Sequence, residues 1–472
     1  MKLAKILKEF NLGRTSKLEV IGNPKGVVVK GLSYDSRNVE EGDLFFCISG
    51  ECNDGHDYAQ EAIANGATAV IVDRKIQTHS PQIKVENVRS AMAEIAEIFF
   101  NFPSRKLTTV GVTGTNGKTT TVNLLAEIAT SAGENVASIG TLTGIRTTPE
   151  APDLQKQIRD LTEEGKSFLA MEVSSHGLSQ RRISNIKYDL AIFTNLSHDH
   201  LDYHGDMESY YQAKSILFTP THAKYAVINV DTPFGKRLAE EIEIPHKTVS
   251  MDDVEIIEEN IQQNIFQWEG ETIEMQTPGT FNIENAISAA FAAEVLGFDK
   301  ESIVKGLSEA QALPGRFEVI DSKNNGPTVI IDYSHTPDGL RKVLLSAQNI
   351  PGVKNVHVVF GCGGDRDKSK RSQMGAVSEN AATDVYLTSD NPRSEDERSI
   401  INDVLAGFRN PADVYIEPDR RKAIFQAIKM SDPNDAVIIA GKGNEESQEI
   451  KGQFYPFKDS DVALDGLEAR AT

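Results

Sequence analysis

The chain has 472 residues, room for two to four domains that each bury a core. Its 49 Lys and Arg face 69 Asp and Glu, and the formal net charge of −20 argues against non-specific binding to nucleic acid or an anionic membrane. Cys47, Cys52 and Cys362 stand in no zinc spacing and fit a reducing cytoplasm, and no apolar run approaches the ~18 residues of a membrane span.

The opening MKLAKILKEF has lysines interrupting its apolar positions, so it reads as a short amphipathic helix rather than a signal peptide. The first block, 1–105, continues with strand-like runs GVVVKGL, DLFFCIS and ATAVIVD and a helix over YAQEAIANGA. NFPSRK then reads as a linker.

The second block, 106–318, alternates strands and helices as a parallel doubly wound sheet does. Its strands are LTTVGVT, ENVASIG, KSFLAMEV, DLAIFTNL and KYAVINV. The first leads into VGVTGTNGKTT, residues 110–120, where a strand, a Gly-rich turn and a helix start make a phosphate cradle. Lys118 is placed to reach terminal phosphates and the Thr119 hydroxyl to ligate Mg²⁺. Val112 stands where the strict P-loop spacing wants glycine; Gly111, Gly114 and Gly117 serve the turn. Glu172 and Asn195 also end strands, so several strands deliver polar groups to one carboxyl-end rim, where ligands gather in open α/β sheets.

Glu172 can supply a hard oxygen to Mg²⁺. His200 lies in FTNLSHDHLDYHG, where three His and two Asp fall within seven residues. That density admits zinc, but the helical HExxH spacing and Cys partners are absent; Mg²⁺ beside a phosphate chain and a plain polar loop are the other readings. Lys214, on a mostly apolar helix, either snorkels to water or points inward as a neutral amine able to take up CO₂ as a carbamate.

The third block, 319–472, has strands PTVIIDY, NVHVVFG, DVYLTS and DAVIIAG, again ending in polar residues, as a second nucleotide-fold-like unit. Two turns carry arginines: FGCGGDRDKSKR with Arg366, and LTSDNPRSED, where Pro392 stiffens a turn projecting Asn391 and Arg393. Arginine suits bidentate carboxylate recognition, although DNPR alone also reads as an ordinary surface turn. The fold expected is α/β, with a central P-loop-type parallel-sheet ATPase domain and a Rossmann-like C-terminal domain.

In order, DSR, EGDLFF, TGTNGKTT, TTPE, MEVSSHGLSQRR, FTNLSHDHLDYHG, YYQAK, PGTFNIENA, LPGRFE, IDYSHTPDGL, FGCGGDRDKSKR, DNPRSED and AGKGNE resemble the Mur ligases of peptidoglycan synthesis over nearly the whole chain. The resemblance implies three domains, for UDP-substrate, ATP and amino acid, in a bacterial cytoplasmic enzyme expected to be monomeric. It implies an ATP-dependent amide ligase adding the third stem-peptide residue, meso-2,6-diaminopimelate, to UDP-MurNAc-L-Ala-D-Glu through an acyl phosphate.

By the same resemblance, Tyr34, Ser36 and Glu51–Cys52–Asn53 meet the UDP end, and Thr147, Thr148, Ser174, Gln180 and Arg182 the sugar–peptide part. ATP lies on Gly114, Thr115, Asn116, Gly117, Lys118, Thr119 and Thr120, with Asn282 near adenine and Arg316, Asp332 and His335 at the domain junction. Thr119 and Glu172 hold one Mg²⁺; His200 and a carbamylated Lys214 hold another, and with Lys118 these form the catalytic set. Arg366, Asp390, Asn391, Pro392, Arg393, Gly441 and Glu445 bind the incoming amino acid, Arg393 gripping the distal carboxylate and repelling a lysine ammonium. Asn444 takes the place of the family's His, Ser447 that of an aromatic, Ser334 that of an Ala, and EGD replaces PGD. The rivals are the same ligation with L-lysine, a folylpolyglutamate-synthetase-like ligase, and a nucleotide-binding regulator without catalysis.

Overall fold

The computed structural model describes residues 1–12, 18–50, 53–144, 146–320 and 326–471. Strands Glu19–Ile21, Gln82–Lys84, Ala69–Val72, Asp43–Phe46 and Gly31–Ser33 lie in that spatial order, the first antiparallel and the rest parallel. The strand expected over GVVVKGL is shorter than its apolar run: only Gly31–Ser33 joins the sheet, while Val28 makes an isolated bridge to Lys2. Val29 instead buries its side chain against Leu3, Ile6 and Phe10, so this apolar run serves core packing rather than sheet pairing.

The central sheet is six-stranded and wholly parallel, in the order His246–Val249, Ala223–Asn229, Tyr188–Phe193, Thr108–Thr113, Phe168–Glu172, Val136–Ile139. Its middle strands are β-branched and apolar because helices cover both faces. One face packs on the helices Lys118–Ser131, Thr280–Val295 and Lys300–Glu309, burying Val110, Leu125, Ile128 and Ile287. The other packs Leu154, Ile158, Tyr211 and Leu217 against Leu169, Met171 and Phe193. Each such fully buried side chain contributes about 1.5–3 kcal/mol relative to an exposed one. A three-stranded antiparallel sheet, Val254–Glu259, Asn264–Trp268 and Glu271–Met275, adds Trp268 and Phe266 to this core.

The third sheet runs Glu318–Ile320, Thr328–Asp332, Ala436–Ala440, Val356–Phe360, Asp384–Leu387, Tyr415–Ile416, parallel except for its first strand. A hairpin, Ser447–Ile450 with Gln453–Pro456, follows it. The α/β architecture expected from the sequence is what the structure shows. No helix of the described residues is long and apolar enough to cross a membrane.

Candidate active site

The strand Thr108–Thr113 lies between the strands ending in Glu172 and Phe193, so the glycine-rich turn opens between two polar strand ends. Gly114 has φ +155°, and a Cβ there would collide with the Thr194 hydroxyl. Gly117 starts the helix Lys118–Ser131 in the left-handed region, and no side chain caps that helix. Its first-turn amides therefore stay available to an anion. Asn195 braces the turn: its Oδ1 accepts from the Asn116 N–H at 2.9 Å and its carbonyl from the Thr115 N–H at 3.0 Å.

A cleft lies over this turn, lined by Thr115 to Thr120, Thr147, Glu172, Ser174, His200, Lys214, Arg316, Asp332 and His335, together with Thr141, Asp199 and Asn285. Residues expected from the second and third blocks are thus brought to one cavity. The Thr119 hydroxyl donates to Glu172 Oε1 at 2.9 Å, and the same oxygen accepts from the Thr141 N–H at 2.8 Å. Arg316 lies 4.2 Å from the centre of the Tyr333 ring and reaches Thr119 Oγ1 at 3.4 Å. Its Nε is buried without a protein partner. Asp332 organises the loop beneath, accepting from the Phe317 N–H at 2.8 Å and the Ser334 N–H at 2.7 Å.

Both catalytic-set lysines point inward. Lys118 Nζ donates to the carbonyls of Gly114 at 2.9 Å and Thr115 at 2.8 Å, curled over its own turn. Lys214 is 1% exposed, which excludes snorkelling, and donates to the Gly114 carbonyl at 2.8 Å. Burial, reinforced by the Lys118 charge, holds Lys214 well below the ordinary lysine range. His200 sits in the left-handed region at φ 56°. Burial pushes its imidazole down to about 3, leaving a neutral ring with ligand capacity.

Asn282 does not line the cleft: it is 2% exposed, donates to the Pro278 carbonyl and accepts from Asn285, which does line it. This helix lines the cleft with Phe281, Glu284 and Asn285.

The residues expected at the sugar–peptide part adjoin this cleft, which Thr147 and Ser174 line. Arg182 donates to the Thr148 carbonyl at 2.8 Å and to Gln180 Oε1 at 2.6 Å, and the Thr148 hydroxyl accepts from the Ser174 N–H at 3.0 Å. Thr147 and Thr141 share a hydroxyl contact at 3.2 Å. Tyr34 bonds to Asp153, tying the first block to the central one, whereas Ser36 pairs with Glu61 and Asn53 with Tyr58. Glu51 and Cys52 lie outside the described residues.

In the third block, Asp390 and Asn391 are buried behind the turn, Pro392 is buried and Arg393 is half-buried at φ 52°. Asn391 Nδ2 donates to Glu445 Oε2 at 2.8 Å. Arg393 pairs with Glu449 at 3.1 Å and donates to the Gly364 carbonyl at 2.7 Å. Gly441 packs on Asp390, and the exposed Arg366 donates to the Asp365 carbonyl. Gly315, next to the cleft-lining Arg316, packs against the AGKGNE loop: a Cβ there would strike the backbone nitrogen of Asn444.

Sequence reasoning missed the contacts that join the blocks. Asp199 takes Lys370 at 2.8 Å and His335 at 3.5 Å, while Asp367 takes His198 at 3.1 Å. Both acids lie inside quoted motifs, but nothing in a linear pattern says which distant cation each will meet.

Family models cover most of the chain: Mur ligase middle domain over residues 112–293, Mur ligase glutamate ligase domain over 315–443, and Mur ligase family catalytic domain over 28–100. The chain belongs to the Mur ligase family. A curated UDP-N-acetylmuramoyl-L-alanyl-D-glutamate--2,6-diaminopimelate ligase from Geobacillus kaustophilus is 39% identical, over 95% of this chain and 96% of its own. One of the same name from Aquifex aeolicus is 40% identical, over 93% and 94%. A solved structure with that name is 33% identical, covers 94% of this Mur ligase and 96% of its own chain, and superposes with a TM-score of 0.64.

Among the described residues no group of three or more His, Cys, Asp or Glu is arranged to hold a metal. Thr119 and Glu172 offer hard oxygens beside an anion cradle, which fits Mg²⁺ completed by water and phosphate. A buried Lys214 whose charged form is disfavoured by burial fits carbamate formation, which would add two more oxygens.

Proposed function

We propose that this Mur ligase joins meso-2,6-diaminopimelate to UDP-MurNAc-L-Ala-D-Glu at the expense of ATP, in peptidoglycan precursor synthesis. The observation that carries this reading is the end-to-end match to diaminopimelate ligases, with an arginine turn, Asn391 to Arg393, facing Glu445. The domain division that goes with it is 1–105 for the UDP-substrate, 106–318 for ATP and 319–472 for the amino acid.

The γ-carboxylate of the D-Glu residue attacks the γ-phosphate of ATP, giving an acyl phosphate and ADP. The amine of diaminopimelate then attacks the acyl carbon, and phosphate leaves. Two anions must meet in the first step, so catalysis is positioning and charge neutralisation more than covalent chemistry. Lys118 and the uncapped helix N-terminus face the phosphate chain, and Arg316 adds charge from the domain junction. Thr119 and Glu172 would hold one Mg²⁺ and His200 with a carbamylated Lys214 a second, and such ions would supply further charge neutralisation. Arg182, Thr148 and Ser174 hold the dipeptide end, and Tyr34 and Ser36 the uridine end.

The reaction is tested by incubating the chain with UDP-MurNAc-L-Ala-D-Glu, ATP, Mg²⁺ and either diaminopimelate or L-lysine. ADP release with diaminopimelate in preference to lysine is expected. Equal use of lysine overturns the amino-acid assignment, and no ADP release with either overturns the ligase.

A further inference from the structure

Lys442 lies in the AGKGNE loop, and its side chain is wholly buried. An ammonium taken out of water needs every N–H satisfied. Three acceptors meet its three donors: Asn391 Oδ1 at 3.1 Å, Glu445 Oε2 at 2.7 Å and the Ser447 carbonyl at 2.8 Å. Two of these belong to the proposed amino-acid pocket and the third begins the hairpin behind it.

The contacts fix more than position. Asn391 Oδ1 accepts from Lys442 and from the Glu449 N–H at 2.9 Å, so its Nδ2 must turn to Glu445. Both protein contacts to the Glu445 carboxylate fall on Oε2, and Oε1 has no partner among the described residues. On the other side of Asn391, Glu449 holds Arg393 Nε at 3.1 Å and the Gly364 carbonyl holds Nη1, leaving Nη2 without a protein partner among the described residues. Lys442 and Arg393 against Glu445 and Glu449 make a locally neutral set, with one free carboxylate oxygen and one free guanidinium edge.

We propose that Lys442 is the positioning residue of this pocket: it aims Asn391 and Glu445 so that the pocket accepts a zwitterionic amino-acid head and rejects a lone ammonium. This rests on the ligase reading above. Diaminopimelate carries such a head at its far end, with an ammonium for Glu445 Oε1 and a carboxylate for Arg393. L-Lysine brings only the ammonium, and its binding leaves the Arg393 edge unmatched. Without the Lys442 charge, Glu445 attracts any ammonium more strongly and Asn391 is free to flip, so selection weakens.

The test compares the full-length chain with its Lys442→Met and Lys442→Gln variants, with diaminopimelate or L-lysine as acceptor. Misplaced pocket groups should raise the KM for diaminopimelate about 10- to 100-fold. The kcat/KM preference for diaminopimelate over lysine should fall at least about tenfold, while the KM values for ATP and the UDP-substrate stay within about threefold. Unchanged diaminopimelate KM and preference in both variants overturns the inference alone. Loss of ATP binding in both also overturns it, because Lys442 would then hold the loop rather than the pocket. An inactive wild-type chain overturns the ligase reading and this inference with it.

Discussion

Lys118 and Lys214 donate to one and the same acceptor, the Gly114 carbonyl, at 2.9 and 2.8 Å. Two ammonium groups on one oxygen repel, and burial, reinforced by the Lys118 charge, lowers Lys214 well below the usual lysine range. A carbamate on Lys214 turns that repulsion into attraction, since Lys118 then faces an anion. Labelled bicarbonate is therefore expected to give a carbamate carbon resonance in the intact chain and none in Lys214→Arg. That variant should also lose at least about 10²-fold in kcat, the scale of removing a preorganised charge-stabilising group. A missing resonance in fully active wild-type chain would falsify the carbamate.

The Thr119–Glu172 contact gives a second expectation. Glu172 is 1% exposed and takes both the Thr119 hydroxyl and the Thr141 N–H on one oxygen, so its position is over-determined. Glu172→Gln keeps the shape but removes the charge. The Mg²⁺ concentration for half-maximal rate should rise about tenfold or more, because hard cations depend on ligand charge. An unchanged Mg²⁺ titration would remove Glu172 from the metal site.

The blocks are joined by a buried charge pair, Lys370 with Asp199, whose side chains are 8% and 4% exposed. Burial opposes the Asp199 charge, but His335 and Lys370 more than offset it and hold its carboxyl well below the usual range. Lys370→Met leaves that carboxylate buried with one partner fewer. It should cost about 3 kcal/mol in urea unfolding, the scale for breaking a buried pair. Adding Asp199→Asn should recover part of the loss, and strictly additive costs would deny the coupling.

Glu395 ties the two arginine-bearing turns together. It takes Arg371 at 2.8 Å, Lys368 at 3.0 Å and the Asp365 N–H at 2.6 Å. Hydrogen bonding to Arg371 lowers its carboxyl to about 2, from 4.5 for a free glutamate. A carboxyl depressed in the fold stabilises it above the unfolded value, and that stabilisation disappears as pH falls through the folded value. Thermal stability should therefore drop between about pH 4.5 and pH 2, with a smaller drop in Glu395→Gln. Equal pH profiles for the two chains would show that the pair contributes nothing.

The parallel central sheet and its strand ends were readable because a buried strand and a glycine-rich turn are local patterns. TTVGVT followed by GTNGKTT carries its own geometry. Lys214 shows where locality ends: its neighbours in sequence allow either water or core, and only the approach of Gly114 from a hundred residues earlier decides. Asn282 and Asn285 differ by one helical turn, a distinction no composition argument resolves. Lys442 was passed over because a lysine between glycines looks solvated until the hairpin folds across it.

In the proposed function, Arg393 is the residue on which the choice of amino acid turns. Its half-buried guanidinium is steered by Glu449 and the Gly364 carbonyl, so its charge is directed rather than free. Arg393→Ala should raise the KM for diaminopimelate by about 10²-fold, the loss of a charge-assisted bond to the distal carboxylate at roughly 3 kcal/mol. Lysine should gain relative to diaminopimelate, because the repulsive cation is gone. ATP binding, measured by calorimetry without the other substrates, should be unchanged, since among the described residues the side-chain bonds of Arg393 go to Gly364 and Glu449 and not to the glycine-rich turn. Should nucleotide affinity fall together with diaminopimelate use, the turn serves the ATP cleft instead, and the placement of the amino acid there is wrong.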